Sequence, residues 1–140
     1  MRTAIDTNII SAIWTDEPRA DAVRTALLRA RDEGSLVISP IVYAEISAHP
    51  RATAAFLERF LGETGIETDF VVSERTWREV ANRFSRYAKR RRASRGGLPK
   101  RLLADFIVAA HALTQADRLL TLDSGNFYKR DFPDLRLLAF

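Results

Sequence analysis

The spacing of the hydrophobic residues changes several times along the chain. Short apolar runs, which are typical of buried strands, occupy residues 3–5, 36–38, 66–72, 119–122 and 135–138. Apolar residues three or four apart, which indicate helices with one face in a core, recur from residue 7 onward and at residues 19–33, 41–48, 51–61, 76–91 and 102–114. Strands that alternate with helices predict an α/β fold, in which helices cover both faces of a parallel sheet.

The first predicted strand leads straight into a carboxylate. Thr3–Ile5 is followed by Asp6 with no turn residue between them, and Thr7 and Asn8 are residue types that begin helices. In open α/β sheets, ligands bind at the carboxyl ends of the strands, where this junction lies. An aspartate here also fits a simple helix cap, so Asp6 alone leaves both interpretations open.

Three further acids occupy comparable positions. Asp123 follows the strand at residues 119–122, as Asp6 follows the first strand. Glu45 shares the three-and-four spacing of Ile41 and Ala48, which predicts that it points toward the core. Burial of a lone carboxylate there costs several kcal/mol of folding free energy unless the carboxylate is paired or bound to a metal. Asp105 borders the apolar face of the helix at 102–114, and an ion pair with the residue four positions earlier is its alternative role.

If the strands that end at Asp6 and Asp123 flank the switch point of the sheet, all four carboxylates converge at one edge. Like charges packed so closely do not all stay ionised without a cation. The chain has no cysteine and two histidines, which excludes thiolate sites and argues against a histidine-built site; His111 better fits a structural role. Carboxylate ligands alone favour Mg²⁺ or Mn²⁺, ions that activate water for phosphodiester hydrolysis.

The charge of the chain points to a phosphate-rich partner. Lys and Arg number 22 against 18 acids, and the sequence pI is about 10. Cationic residues concentrate just upstream of the helix with Asp105, at Lys89, Arg90, Arg91, Arg92 and Arg95, followed by Gly96 and Gly97. We expect this run to bind the phosphates of such a partner; the alternative is a solvated helix end whose charge suits the helix dipole.

Length and composition restrict the remaining possibilities. A chain of 140 residues without a linker or an internal repeat is expected to form one domain over residues 1–140. It contains no apolar run of membrane-spanning length and no basic, apolar leader. The absence of cysteine is consistent with a cytoplasmic protein, and we expect that location.

Four segments of the chain resemble, in order and in spacing, the signature blocks of the PIN domain family. They are Ile5–Ile9, Ser39–Glu45, Leu103–His111 and Leu120–Phe127, and the similarity looks closest to the VapC toxins of bacterial VapBC toxin–antitoxin pairs. The resemblance implies a three-layer α/β/α fold with a five-stranded parallel sheet, and Mg²⁺- or Mn²⁺-dependent endoribonuclease activity. It also implies a homodimer and an antitoxin whose tail covers the acidic site.

The resemblance assigns roles to individual residues. By position in the blocks, Asp6, Glu45, Asp105 and Asp123 fall on the metal-binding acids of the family, and Asn8 and Thr121 fall on polar positions that support the site. Members of the family differ most in the fourth block, and here Ser124, Gly125 and Asn126 follow Asp123, with no further acid before Asp131.

Other functions fit the sequence less well. A phosphatase with an aspartyl nucleophile needs a second acid two residues after the first, where Asn8 stands, and a receiver domain needs a lysine in residues 135–140, which have none. A dinucleotide-binding fold lacks its glycine-rich loop. A nucleic-acid-binding domain without catalysis is the serious alternative; it leaves Glu45 unexplained.

Overall fold

The computed structural model describes residues 1–95, 97 and 100–138, and its centre is a sheet of five parallel strands. The strands are β1 (Arg2–Ile5), β2 (Ser35–Ile38), β3 (Ile66–Thr68), β4 (Arg118–Leu120) and β5 (Leu137–Leu138). They lie in the order β3-β2-β1-β4-β5. The five-stranded parallel sheet expected from the sequence is confirmed.

Seven helices connect the strands within the described ranges. They are α1 (Thr7–Trp14), α2 (Ala20–Glu33), α3 (Pro40–Ser47), α4 (Ala54–Thr64), α5 (Glu74–Ala93), α6 (Leu103–Gln115) and α7 (Asn126–Asp131). The chain moves from β1 through β2 to β3 with α1–α4, then returns to β4 and β5 with α5–α7. Because crossovers between parallel strands are right-handed, these opposite directions place the two sets of helices on opposite faces, which gives the three-layer α/β/α fold.

The switch point of the sheet lies between β1 and β4. These neighbouring strands are paired in register, and the connections that leave their carboxyl ends go to opposite sides of the sheet. Both are buried on both faces, as their continuous apolar runs predict: Ala4, Ile5, Leu119 and Leu120 are inaccessible to solvent or nearly so. The backbone N–H of Asp6 donates to the carbonyl of Leu120 at 3.0 Å, which fixes Asp6 at this edge.

The third strand is shorter than predicted. The sequence indicates a strand to Val72, but β3 ends at Thr68, and Phe70 and Val71 are exposed. The chain leaves the sheet at Asp69, whose carboxylate accepts a hydrogen bond from Arg2 and lies 2.8 Å from Nε2 of His111. The backbone N–H of Asp69 still donates to the carbonyl of Ile38 at 2.9 Å, and the side-chain bonds of Asp69 hold the chain where it leaves the sheet.

His111 is one of the few polar side chains buried in the core. Burial lowers the pKa of its imidazole, despite the opposing hydrogen bond with Asp69. Hydrogen bonds from His111 and Arg2 outweigh the effect of burial on Asp69 and lower the pKa of that carboxyl. His111 therefore anchors the segment after β3, which is a structural role.

The helical spacing of α5 predicts its buried face only in part. It places Trp77 toward the core, but Trp77 is 46% exposed, and Arg83, six residues later, is buried. The guanidinium of Arg83 donates to the carboxylates of Glu79 and Asp134 and lies over the ring of Phe132 at 4.6 Å, so its charge and its apolar face are both matched.

Gly125 precedes the short helix α7, which begins at Asn126. None of the helices in the described ranges is long and apolar enough to cross a membrane.

Candidate active site

Asp6 is held rigidly at the carboxyl end of β1. Its Oδ1 accepts the backbone N–H of Thr7 at 2.7 Å, and its Oδ2 accepts the hydroxyl of Thr121 at 2.8 Å. Asp6 is thus the N-cap of α1, as the simple interpretation of the sequence expects. Each carboxylate oxygen keeps a second lone pair, so capping leaves Asp6 able to bind a further ligand.

Thr121 organises the polar side of the site. Its oxygen accepts a hydrogen bond from Nδ2 of Asn8 at 3.2 Å and from the backbone N–H of Asp123 at 3.1 Å, while its hydroxyl donates to Asp6. Oδ1 of Asn8 accepts the N–H of Leu122 and ties α1 to the end of β4. The two residues predicted to support the site therefore contact it directly.

Glu45 does not point into the core, and that prediction is wrong. Its side chain is exposed, because α3 turns Val42 and Ile46 toward the sheet instead of Ile41, Glu45 and Ala48. The hydroxyl of Thr7 donates to Oε1 of Glu45 at 2.8 Å. Glu45 nevertheless lies at the same edge of the sheet as Asp6, since Thr7 is the next residue in the chain.

Asp105 lies in the first turn of α6, where its Oδ2 accepts the backbone N–H of Leu102 at 3.2 Å. The alternative ion pair with Arg101 is not formed. Arg101 instead places Nη1 3.1 Å from Oδ2 of Asp123 and stacks its guanidinium over the ring of Phe127 at 4.6 Å. Asp123 is thereby partly neutralised, which distinguishes it from the other three acids.

Glu45 and Asp105 act electrostatically on Asp6. The pKa of Asp6 is raised above its ordinary value, mainly by burial and further by the carboxylates of Glu45 and Asp105. Burial, together with the charges of Asp6, Asp123 and Asp105, raises the pKa of the phenol of Tyr128. The acids therefore lie near the switch point without closing into one cluster, and the phenol of Tyr128 lies near Asp6, Asp105 and Asp123.

Tyr128 was missed as a site residue, because the pattern around it suggests only that it packs against the core. Arg101 was considered only as a partner of Asp105. No sequence signal identifies the role of either residue, because tertiary packing brings Tyr128, in α7, and Arg101, just before α6, to the site.

The acids fit a hard cation in charge and in ligand type. Within the described residues, Asp6, Glu45 and Asp105 form no ion pair with a lysine or an arginine, and all three offer the carboxylate oxygens that Mg²⁺ and Mn²⁺ prefer. No three acids or histidines in the described part of the chain already stand close enough together to hold a metal ion. Of these three acids, Glu45 is the most exposed.

The basic run is mostly helical. Residues 89–93 form the last turns of α5, and Arg91, Arg92 and Arg95 line a groove of about 460 Å³ together with Phe84, Tyr87, Ala88, Lys100 and Arg101. Arg101, which lines this groove, also pairs with Asp123, so one residue of the groove contacts one of the four acids. Lys89 is exposed beside the groove and does not line it.

Arg90 differs from the rest of the basic run. Its guanidinium pairs with Asp131, a carboxylate whose side chain is completely buried and which also pairs with Arg130. Burial lowers the pKa of Arg90, and the neighbouring charges of Arg130 and Arg86 add to that effect. Arg90 is therefore part of a structural ion cluster rather than a free cation.

A family model described as the PIN domain matches residues 3–133. No curated protein matches the chain. Solved structures with a similar fold include VapBC2 from Rickettsia felis bound to a DNA fragment from their promoter (TM-score 0.73, 23% identity, covering 100% of this chain and 99% of that one). They also include VapBC-1 from nontypeable Haemophilus influenzae (TM-score 0.64, 19% identity, 99% and 97% covered) and FitAcB from Neisseria gonorrhoeae (0.66, 22%, 98% and 96%).

Proposed function

Because this chain belongs to the PIN domain family, whose members are generally nucleases, we propose that it is a metal-dependent endoribonuclease and the toxin of a bacterial toxin–antitoxin pair. The observation that carries the proposal is the group of uncompensated carboxylates at the switch point, where Asp6 has a raised pKa. An acidic, cation-requiring site in a chain of net charge +4 fits a polyanionic substrate.

Each residue of the site has a distinct proposed role. Asp6, Glu45 and Asp105 would hold Mg²⁺ or Mn²⁺. Asp123, which pairs with Arg101, would either bind the same ion or position a water molecule beside it. When bound, such an ion generates a nucleophilic water and stabilises the charge that develops on the phosphodiester. Thr121 and Thr7 fix the orientation of Asp6 and Glu45 by hydrogen bonds.

Removal of divalent metal tests the reaction. We expect single-stranded RNA to be cut internally in the presence of Mg²⁺ or Mn²⁺ and to remain intact with EDTA. EDTA removes the divalent ion that would activate water at the carboxylates. Fragment lengths on a denaturing gel give the measurement. Equal cleavage with and without EDTA would contradict the metal mechanism.

The alternative is a nucleic-acid-binding domain without catalysis. The basic groove favours binding, and the described acids are not already arranged around a metal. This alternative predicts RNA binding that Mg²⁺ or Mn²⁺ does not convert into fragment release. The uncompensated carboxylates next to the groove argue against it, since a surface that only binds RNA gains nothing from them.

The proposed partner is an antitoxin encoded with the chain. Two of the structural neighbours carry the name VapBC, and one of these is described as bound to a promoter DNA fragment. A protein tail that covers the acidic site would need cationic groups to match it. We further propose that the chain forms a homodimer, as the family resemblance implies.

The groove-lining arginines should govern RNA affinity. Replacement of Arg92 and Arg95 by Gln should weaken binding to many RNAs alike and reduce the slope of log affinity against log salt by roughly one unit for each phosphate that is no longer neutralised. Phosphates carry no sequence information, so the loss should not depend on the RNA chosen. Filter binding at several salt concentrations, with Asp6→Asn to block cleavage, gives the measurement.

Two further variants sharpen that experiment. Arg75→Gln, at an exposed site near the start of the same helix, should leave affinity and salt slope unchanged. Arg90→Gln should lower the free energy of unfolding by ~2 kcal/mol, because among the described residues the buried Asp131 then keeps only Arg130 as a cationic partner. An unchanged salt slope in the Arg92 and Arg95 double variant would show that the run is a solvated helix end.

A further inference from the structure

A second cationic cavity lies between α5 and α7 and shares no lining residue with the basic groove. It has a volume of about 200 Å³. Its lining consists of arginines, aspartates and one proline: Arg83, Arg86, Arg90, Arg130, Asp131, Asp134 and Pro133. Arginines that outnumber the acids around so small a space predict that the cavity attracts an anion.

The acids around the cavity match its arginines unevenly. Both Nη atoms of Arg83 donate to the carboxylate of Asp134, at 2.6 and 2.7 Å, and its Nε donates to Glu79, which lies outside the lining. The charge of Arg83 is therefore fully matched. The other three arginines of the lining share a single carboxylate among the described residues, that of Asp131, so the cavity keeps an excess of positive charge even when Glu79 is counted.

The unmatched arginines are open to solvent, whereas the carboxylate that they share is not. The side chains of Arg90 and Arg130 are 37% and 28% exposed, while the side chain of Asp131, which pairs with both, is completely buried. Arg86 is exposed and forms no hydrogen bond or ion pair with the described residues. Asp131 thus orients two guanidinium groups from the protein side, and an anion that enters meets the arginines first.

Asp134 is the one exposed acid of the lining, but both of its carboxylate oxygens are already bound by Arg83. The positive charges, by contrast, repel one another: Arg130 and Arg86 add to the effect of burial that lowers the pKa of Arg90. A bound anion would relieve that repulsion.

The cavity lies near both the basic groove and the acids. Arg86 and Arg92, which line the cavity and the groove on different faces of α5, are about 9 Å apart along the helix axis. On the α7 side, the chain continues into Phe132, whose ring contacts that of Phe106 at 5.9 Å. Phe106 follows Asp105 in the chain, so a single packing contact separates this wall from a residue proposed to hold the metal.

We propose that this cavity binds a phosphate of the RNA other than the phosphodiester held at the acids. The proposal rests on the proposed function in taking RNA as the ligand. A phosphate suits the lining better than a carboxylate does, because its tetrahedral oxygens accept hydrogen bonds from several guanidinium groups at once, whereas one arginine fork satisfies a planar carboxylate. Such a contact fixes the register of the strand without reading its sequence.

Arg86→Gln tests the site with little effect on the fold, because the side chain of Arg86 is exposed and unbonded. Binding of a uridylate decamer is measured by filter binding at several salt concentrations, with Asp6→Asn and EDTA to prevent cleavage. We expect Arg86→Gln to weaken binding roughly tenfold, as loss of a charged hydrogen bond does. The slope of log affinity against log salt should fall by about 0.7, the value for one phosphate of a single strand.

Two variants serve as controls. Arg75→Gln removes the same charge from the same face of α5, about three turns nearer its start and outside the cavity, so it should leave affinity and salt slope unchanged. Arg86→Lys keeps the charge but cannot donate two parallel hydrogen bonds. It should keep the salt slope of the unmodified chain and recover only part of the affinity. The urea midpoint of each variant should not fall below that of the unmodified chain.

Two results would overturn the proposal. Equal losses of affinity in Arg86→Gln and Arg75→Gln would show a general effect of charge. RNA binding that does not depend on Arg86 would also overturn it. In that case, inorganic phosphate that raises the melting temperature of the unmodified chain but not of Arg86→Gln would make the cavity a site for a free anion, and weaker binding of the antitoxin to Arg86→Gln would make it a contact for an acidic protein segment.

Cleavage by the unmodified chain is measured separately, so that the two proposals fail independently. Binding that depends on Arg86, without cleavage, would contradict the nuclease proposal alone. Cleavage with binding that does not depend on Arg86 would contradict the cavity proposal alone.

Discussion

Asp6→Asn should reduce RNA cleavage by at least about a hundredfold and leave the protein as stable as the unmodified chain, or more stable. Loss of a group that merely orients a metal ligand commonly costs about 10–100-fold in affinity or activity, so loss of a proposed ligand should cost at least about that much. The stability should not fall, because the carboxylate of Asp6 is buried against the charges of Glu45 and Asp105.

The sign of the stability effect follows from the raised pKa of Asp6. A group whose pKa is higher in the folded state stabilises the fold below its unfolded pKa, and this contribution is lost as pH rises through the folded pKa. Near neutral pH the ionised Asp6 therefore opposes folding in the absence of metal, and an uncharged Asn removes that cost. Urea denaturation at pH 7 and pH 4 gives the measurement, and the advantage of the variant should shrink at the lower pH.

The same pair of proteins tests the toxin proposal. Induction of the unmodified chain in a bacterium should arrest growth, whereas induction of the Asp6→Asn variant to the same level should not, because the arrest depends on cleavage. Co-expression of the antitoxin should restore growth. An unmodified chain as harmless as the variant would count heavily against a toxin, and a variant that loses activity by unfolding would make Asp6 a structural residue.

Phe106→Ala should cost about 4 kcal/mol of the free energy of unfolding, within the range for truncation of a buried aromatic ring. Phe106 is completely buried at the centre of an aromatic cluster, with the rings of Phe84, Tyr87, Phe127 and Phe132 at 5.1–5.9 Å. Removal of its ring leaves a cavity between α5, α6 and α7, and these helices would have to move closer together to fill it. The midpoint of urea unfolding gives the measurement.

Leu28→Ala is the matched control for this prediction. Leu28 is 58% exposed on α2, so its truncation should change the free energy of unfolding by no more than about 0.5 kcal/mol. Because Phe106 follows Asp105 in the chain and contacts Phe127 in α7, its truncation should also lower cleavage in the molecules that remain folded. A Phe106→Ala variant that unfolds at the midpoint of the unmodified chain would show that the cluster is not part of the stabilising core.

The sequence alone determined the layers of the fold and the position of Asp6. Apolar runs and helical spacings differ in period, so they identify the types of the strands and helices that form the sheet layers. Asp6 directly follows β1, as predicted, and the carboxyl ends of parallel strands meet at one edge by geometry. The strand before Asp123 is predicted to reach residue 122, but β4 ends at Leu120, so Asp123 lies three residues beyond it. The inferences about the layers and about Asp6 use only the local backbone, which is why they hold before any contact is known.

The orientation of Glu45 required the tertiary structure. Nearly all of α3 is apolar, from Pro40 to Ile46, so two different arcs could face the sheet with similar burial. Packing selects the arc with Val42 and Ile46, and Glu45, next to Ile46 in the chain, is turned to the surface. A sequence with one polar residue in an apolar helix does not indicate which way the helix is rotated.

Charged pairs between distant elements were also decided only by the fold. Arg101 has an acid four residues later, yet it pairs with Asp123, and Arg90 lies in a uniformly basic run, yet it neutralises the buried Asp131. Long cationic side chains reach several possible partners, and the choice depends on which carboxylate the packing brings near and buries. Periodicity specifies which residues are helical, whereas the partners of the charges depend on how α5, α6 and α7 pack together.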